Sequence, residues 1–429
     1  MNTTSVGKDK ARLSQLAENI VRSEIIDLAL EVNERIGNGE KIYNLTIGDF
    51  NPNLFPIPEE LRQEVITAYK KGQTNYPIAD GMPELRAQVV NLLKQRANVD
   101  YSVDEVAIAG GARPVIYATY LTLIDEGDKV LFPVPSWNNN HYSYLSSAQQ
   151  VLVETTAETK FMPTAEVLQP HIAEATLLAL CSPLNPTGTT FSKKDLEDIC
   201  DMVLEENAHR KTTGAKPLYL MYDQIYWALT HGDTKHYCPV ELRPAMKEYA
   251  IIVDGISKSL AATGVRVGWA MGPESIIRKI RTFLTHIGAW SPRAEQLGAA
   301  AYLSNLEQYD AFIADIRKRA NDRLTGFYNG FIKLKEAGLK VDAIAPEAAI
   351  YLTVQFDLIG MKTPNGKVLE MAKDVTAYLL DEAKVAMVPF YAFGASPNSS
   401  WYRLSVGTCK LEDIDEIMES IRLALNKLS

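Results

Sequence analysis

Short β-branched or aliphatic runs recur along this chain, each bounded by Gly, Pro, Asp or Asn and separated from the next by a longer amphipathic stretch. The runs are Val106–Ala109, Lys129–Val134, Val151–Thr155, Thr176–Cys181, Leu218–Tyr222, Ala250–Val253 and Arg266–Met271. Runs without a polar face must be covered on both sides, as strands of a parallel sheet are. The alternation therefore predicts an α/β fold, with a mostly parallel seven-stranded sheet flanked by helices.

The intervening segments have helical periodicity. Leu196, Ile199, Cys200, Val203 and Leu204 fall on one face, and Ser192 and Asp195 have capping-box spacing ahead of them. Leu61, Val65, Ile66 and Tyr69 make a similar stripe, as do Ile414, Ile417, Met418 and Ile421. After about Leu303 a long charged helical stretch leads to strands at Ile350–Gln355 and Tyr402–Ser405, which predicts a second, smaller α+β domain. The expected division is residues 1–50 as an N-terminal arm and part of the small domain, 51–303 as the large domain and 304–429 as the small C-terminal domain, with the long helix as connector.

Several function classes drop out on composition. The 429 residues carry 44 Lys+Arg against 53 Asp+Glu, a formal charge of −9, and no basic block exists to meet phosphate backbones or anionic lipid. Neither nucleic acid nor a membrane is an expected partner. Lys8, Lys10 and Arg12 lie in a polar start unlike a signal peptide, and no run approaches the ~18 apolar residues of a membrane span. Cys181, Cys200, Cys238 and Cys409 are far apart without CxxC spacing, so a reducing, cytoplasmic setting is expected. No metal is expected, because the six histidines form no HExxH. His231 and His236, in the polar stretch HGDTKH, read as a solvated loop. There is no GxGxxG after a strand and no GxxxxGK[ST].

Open α/β sheets bind ligands beyond the carboxyl ends of their strands, and those ends here hold reactive side chains. Thr176–Cys181 runs into Ser182-Pro183-Leu184-Asn185-Pro186-Thr187-Gly188, Leu218–Tyr222 into Asp223-Gln224-Ile225-Tyr226, and Ala250–Val253 into Asp254-Gly255-Ile256-Ser257-Lys258. An asparagine, a carboxylate, a phenol and an amine together suit a cofactor with a cationic ring nitrogen, a phenolate oxygen and an aldehyde. Gly110-Gly111-Ala112 at a helix start offers backbone N–H groups for a phosphate, and Ser257 and Arg266 complete that site.

With these residues in view, the chain resembles the class I/II aminotransferase family, the fold-type I pyridoxal-phosphate enzymes that include aspartate aminotransferases. The segment Ser257-Lys258-Ser259-Leu260-Ala261-Ala262-Thr263-Gly264-Val265-Arg266-Val267-Gly268 matches the family's lysine motif at its Ser, Lys, Gly, Arg and Gly positions. The likeness runs from about Asn44 to Arg403, with SPLNPTG and DQIY in the expected order.

The resemblance implies pyridoxal 5'-phosphate as cofactor, with Lys258 forming its Schiff base and then moving the substrate α-proton. Asp223 would pair with the ring nitrogen, Asn185 and Tyr226 would bond the ring oxygen, and Trp137 would stack on the ring. The phosphate would lie on Gly111, Ala112, Ser257 and Arg266, with Tyr76 reaching it from the partner subunit of a homodimer. Arg403 would clamp the substrate α-carboxylate, Asn185 would also contact the substrate, and Gly48 would let the backbone approach that carboxylate. The implied reaction passes the amino group of an L-amino acid to a 2-oxo acid by a ping-pong route.

Two positions depart from the family pattern. Gly48-Asp49-Phe50-Asn51-Pro52 stands where GxPDF is common, and Asp223-Gln224-Ile225-Tyr226 where DE-[IV]-Y is common. Arg113 has two readings, a partner for a distal substrate carboxylate or a surface residue of a helix's first turn. The same cofactor residues also serve carbon–sulfur lyases and other β-eliminating enzymes. A third alternative, an effector-sensing domain of a regulator, is disfavoured by the absence of a helix-turn-helix pattern in the roughly forty residues ahead of the match.

Overall fold

The apolar runs all become strands in the computed structural model, which describes residues 13–429. Lys8, Lys10 and Arg12 lie outside the described residues. Strands follow in the order β1 (Tyr43–Asn44), β2 (Val106–Ala109), β3 (Lys129–Val134), β4 (Gln149–Glu154), β5 (Ala175–Cys181), β6 (Tyr219–Asp223) and β7 (Ala250–Gly255). They continue as β8 (Gly268–Met271), β9 (Val341–Ala343), β10 (Tyr351–Phe356), β11 (Val385–Ala386), β12 (Val388–Pro389) and β13 (Trp401–Ser405).

Seven strands form one sheet in the order β2-β8-β7-β6-β5-β3-β4. β4, β3, β5, β6 and β7 are parallel to their neighbours, whereas β8 runs antiparallel to both β7 and β2. The central strands are buried along almost their whole length, as continuous apolar runs require, and only edge strand β4 is largely exposed. The last strand is shorter than its sequence suggested. Arg266 lies in the loop ahead of β8 with φ +62°, because its guanidinium turns back to bond Thr263 O and Gly110 O instead of extending along the sheet.

Four helices matter for the site: α1 (Glu24–Gly37), α2 (Ala112–Leu123), α3 (Lys193–Thr213) and α4 (Leu306–Glu336). α3 begins at the expected cap, where Ser192 Oγ accepts the Asp195 N–H at 3.1 Å. The long helix α4 leads to a smaller antiparallel sheet, β12-β13-β10-β9. The short strand β1 pairs with β11, so residues from both parts of the chain meet beside that smaller sheet. Among the described residues no helix is long and apolar enough to cross a membrane.

The HGDTKH stretch differs from its reading as a solvated loop. His231 is 4% exposed and its Nε2 lies 2.8 Å from Ala349 O, while His236 lies 3.3 Å from Gln224 Oε1. Burial pushes them down to about 4 and about 3, respectively. Both therefore stay neutral at physiological pH. Exposed Gly232, Asp233 and Lys235 between them made the segment look wet. No cluster of metal ligands exists among the described residues.

Candidate active site

β3 and β4 lie to one side of β5, and the chain then builds β6 and β7 on the other side, so the strand order reverses between β3 and β5. The carboxyl ends of strands spread apart at such a reversal and leave a crevice. A cavity of about 690 Å³ occupies this place. Gly48, Ala112, Arg113, Trp137, Asn185, Asp223, Tyr226, Ser257, Lys258, Arg266 and Arg403 all line it.

Backbone packing sets the cavity floor. Gly111 has φ +97°, and a Cβ there would lie 2.3 Å from Arg266 Nη2. A Cβ on Gly268 would lie 2.5 Å from the Gly111 carbonyl carbon. Two glycines thus let the start of α2 sit directly on β8 with the Arg266 guanidinium across it. The first N–H groups of α2 have no partners within the helix, and with Arg266 and buried Ser257 they bring donors and positive charge to one corner of the cavity, a setting that suits an anion.

Asp223 ends β6 facing the cavity. Its Oδ1 accepts the Ile225 N–H at 3.0 Å, and no described cation pairs with it. Desolvation lifts the carboxyl to about 6. A desolvated acid without a cation among the described residues is costly, and a cationic group bound in the cavity would relieve it. From 3.8 to about 6 the ionisation cost is at most about 3 kcal/mol, less what cavity water screens. The folded pKa is raised, so this destabilisation grows as pH rises from 3.8 towards 6 and is constant above. Asp223→Asn should therefore raise the apoprotein's melting temperature at pH 7 but not at pH 3.5, while weakening cofactor binding. Melting curves of the cofactor-free proteins at both pH values check this, and an unchanged or lower melting temperature at pH 7 contradicts it.

Lys258 follows β7. Its Nζ donates to Gly48 O at 2.6 Å and lies 5.8 Å from the Tyr226 ring centroid. Burial pushes the amine down to about 8; Asp49 opposes the shift, and Arg403, Arg113 and Arg266 reinforce it. At pH 7 roughly one such amine in ten is neutral, against fewer than about one in a thousand for an ordinary lysine. Only the neutral amine is a nucleophile or base.

Arg403 sits on β13, a central strand of the smaller sheet, and is 2% exposed. Its Nη1 donates to Asn185 Oδ1 at 2.9 Å and its Nη2 to Thr46 O at 2.6 Å. Its Nε is buried without a partner. Among the described residues this buried guanidinium meets only neutral acceptors, and a carboxylate would complete its pairing. A Cβ on Gly48 would lie 3.5 Å from Arg403 Nη1 and 2.7 Å from Tyr351 Oη, so glycine keeps this corner open.

Trp137 lines the wall where the strand reversal lies, and the Arg113 guanidinium sits 5.2 Å above its ring. Arg113 therefore faces the cavity instead of bulk solvent alone. Tyr76 is not part of this cavity. It is 80% exposed, packs edge-on to Trp290 at 5.3 Å, and lines a separate depression with Tyr69 and Arg293.

Three features had no sequence signal. Tyr351, at the start of β10, places its hydroxyl 2.5 Å from that of Tyr226 and its ring 4.7 Å from the Arg403 guanidinium. Asp49 accepts from Thr263 Oγ1 at 2.7 Å and ties the Gly48 segment to the Arg266 loop. Ile25, Ala29 and Leu30 of α1 form an apolar rim at the mouth. Only the topology brings these distant residues to the lysine motif.

The comparisons with known proteins concern the chain's family and fold. The family model for aminotransferase class I and II matches residues 40–421. A probable aspartate/prephenate aminotransferase of Rickettsia typhi is 31% identical over 392 residues, covering 90% of this chain and 92% of that protein. The aspartate aminotransferase of Rhizobium meliloti (strain 1021) is 28% identical over 410 residues, covering 95% and 94%. The crystal structure of the aspartate aminotransferase from Rhizobium meliloti superposes with a TM-score of 0.89 at 26% identity, covering 98% of this chain and all of that one. The aromatic aminotransferase from Pyrococcus horikoshii OT3 superposes with a TM-score of 0.79 at 26% identity, covering 92% and 98%. A chain that matches the family model over residues 40–421, and these relatives in sequence and fold over nearly their full lengths, belongs to the class I and II aminotransferase family.

Proposed function

We propose that this chain is a pyridoxal 5'-phosphate-dependent transaminase that passes the amino group of an L-amino acid to a 2-oxo acid by ping-pong turnover. The observation that carries this reading is the charge arrangement of one cavity: an amine lowered to about 8, a carboxylate without a cation, and a buried guanidinium without an anion. These fit the cofactor and substrate group by group. Asp223 would hold the ring nitrogen, Asn185 and Tyr226 the ring oxygen, Trp137 the ring face, and Gly111, Ala112, Ser257 and Arg266 the phosphate.

Held through Lys258, the cofactor would supply a carbon at which the substrate's amino group replaces the lysine amine, and a conjugated ring to delocalise the electron pair left by the α-proton. Arg403 orients the amino acid through its α-carboxylate, and Gly48 leaves room for that carboxylate. The Lys258 amine, once released, is held by the Gly48 carbonyl and takes the α-proton on Nζ, which its lowered basicity permits near neutral pH. The apolar rim of α1 limits water at the mouth.

A homodimer completes the reading. Tyr76 is exposed and beside a depression, as a residue given to a partner's phosphate site would be. The setting we propose is cytoplasmic, consistent with four free cysteines. Incubation with L-aspartate and a 2-oxo acid acceptor should yield oxaloacetate and the new amino acid in equal amounts. Ammonia and pyruvate from a cysteine-type substrate, without any acceptor, would instead indicate a β-eliminating enzyme.

Aspartate and glutamate enter as substrates through Arg113, whose guanidinium lies at the cavity on Trp137. The relatives named for aspartate support the same preference. Arg113→Ala should lower kcat/KM for aspartate about 10-fold or more while changing that for a neutral amino acid little, as expected for losing one exposed charged contact. Equal losses for both substrates would remove Arg113 from specificity.

A further inference from the structure

Tyr351 touches both Tyr226 and Arg403 and lies outside the sequence segments that carry the family resemblance. Its hydroxyl lies 2.5 Å from Tyr226 Oη, the two rings meet edge-on at 5.5 Å, and its face carries the Arg403 guanidinium at 4.7 Å. It is 1% exposed, and Tyr226 Oη is the partner recorded for its hydroxyl. Gly48 leaves the space that this hydroxyl fills. Strand β10, which carries Tyr351, pairs with β13, which carries Arg403, whereas Tyr226 follows β6 of the large sheet.

The direction of the hydroxyl pair follows from proton counting. Tyr226 has one proton, and in the proposed holoenzyme it goes to the cofactor's ring oxygen. Its oxygen can then only accept from Tyr351. A donor into a hydroxyl that itself donates polarises the second bond and strengthens it. Burial holds the Tyr351 phenol above its ordinary value, with the Arg403 guanidinium over its ring offsetting part of the rise, so the hydroxyl keeps the proton it donates.

We propose that Tyr351 is a positioning residue whose hydroxyl donates to Tyr226 and thereby strengthens the hydrogen bond that Tyr226 makes to the cofactor's ring oxygen. The inference rests on the cofactor reading given under Proposed function. A stronger bond to that oxygen favours its deprotonated state, so the pH midpoint of the cofactor's visible band is lower than it would be without Tyr351. The charged and titratable groups facing the tyrosine pair are Arg403 from β13, Cys181 from the end of β5, Asp49 from the Gly48 segment and Lys258 after β7. Tyr351→Phe leaves all of them in place and removes one oxygen.

Spectrophotometric titration of the holoenzyme tests this. Tyr351→Phe should raise the midpoint by about half a unit, with cofactor stoichiometry and melting temperature near wild type. Tyr226→Phe should raise it further, and the double variant should match Tyr226→Phe alone, since Tyr351 acts through Tyr226. Tyr351→Leu, which also removes the ring beneath Arg403, should add an increase in KM for the amino acid that Tyr351→Phe lacks. A purely packing role for the ring predicts no midpoint change in Tyr351→Phe. A visible band that titrates in the wild type and is unmoved by Tyr351→Phe, or additive shifts in the double variant, overturns the inference alone. A wild-type protein that gives no titrating visible band overturns the cofactor reading and this inference together.

Discussion

Lys258→Ala is expected to abolish both the visible band of the loaded enzyme and its turnover, while the fold persists. The side chain lies in the cavity with one hydrogen bond, to Gly48 O, and belongs to none of the hydrophobic core clusters, so truncation enlarges the cavity and leaves those clusters intact. Its amine serves twice in the proposed reaction, as the attachment point and as the group that takes the α-proton. Loss of a positioned base alone costs on the order of 10²–10⁴ in rate, and loss of the attachment adds to it. We expect turnover to fall at least about 10⁴-fold, with a melting temperature for the cofactor-free variant equal to or above wild type, because a desolvated ammonium is removed. The pH dependence has a definite sign. The folded pKa is lowered from 10.5 to about 8, so the cofactor-free wild type gains stability as pH rises from 8 towards 10.5, and Lys258→Ala loses that gain. Retained turnover would remove Lys258 from the chemistry.

The second large effect is at Arg403. This guanidinium is 2% exposed, bonds Asn185 and Thr46 O, and has a buried Nε without a partner. A carboxylate arriving there makes charge-assisted, bidentate bonds in a site of low polarity. Removing one member of such a pair typically costs 2–5 kcal/mol, which is about 30-fold to 4,000-fold in affinity. Arg403→Ala should therefore weaken amino-acid binding in the half-reaction by about 10²–10³-fold, with cofactor binding much less affected. Arg403→Lys should recover only part of the loss, since an ammonium cannot reproduce the fork. Half-reaction titrations with absorbance detection separate the two effects. Unchanged amino-acid affinity in Arg403→Ala would contradict the carboxylate role.

The parts of the fold that were legible were those with local causes. Strand runs buried on both faces, a Ser192 cap and the long charged helix each show in a few consecutive residues, and each appears in the structure. The lysine motif was legible for the same reason, because Ser257, Lys258 and Arg266 lie on one short loop between β7 and β8. Arg266 was misplaced onto a strand because its left-handed backbone is set by the contact with Gly110, far away in sequence. Tyr351, Asp49 and the α1 rim were missed because their roles exist only after Tyr351 of β10 meets Tyr226 beyond the end of β6 and the N-terminal segment folds back over the Arg266 loop. HGDTKH misled because exposed Gly232, Asp233 and Lys235 surround two histidines whose burial depends on Ala349 and Gln224.

The most direct measurement is borohydride reduction of the enzyme loaded with pyridoxal phosphate, followed by peptide mapping, before and after one equivalent of L-aspartate without an acceptor. A stable cofactor adduct on Lys258 is expected before the amino acid is added, and loss of that adduct afterwards, with one oxo acid released per site. An adduct on another lysine, or an adduct on Lys258 that the amino acid does not discharge, would contradict the role given to Lys258.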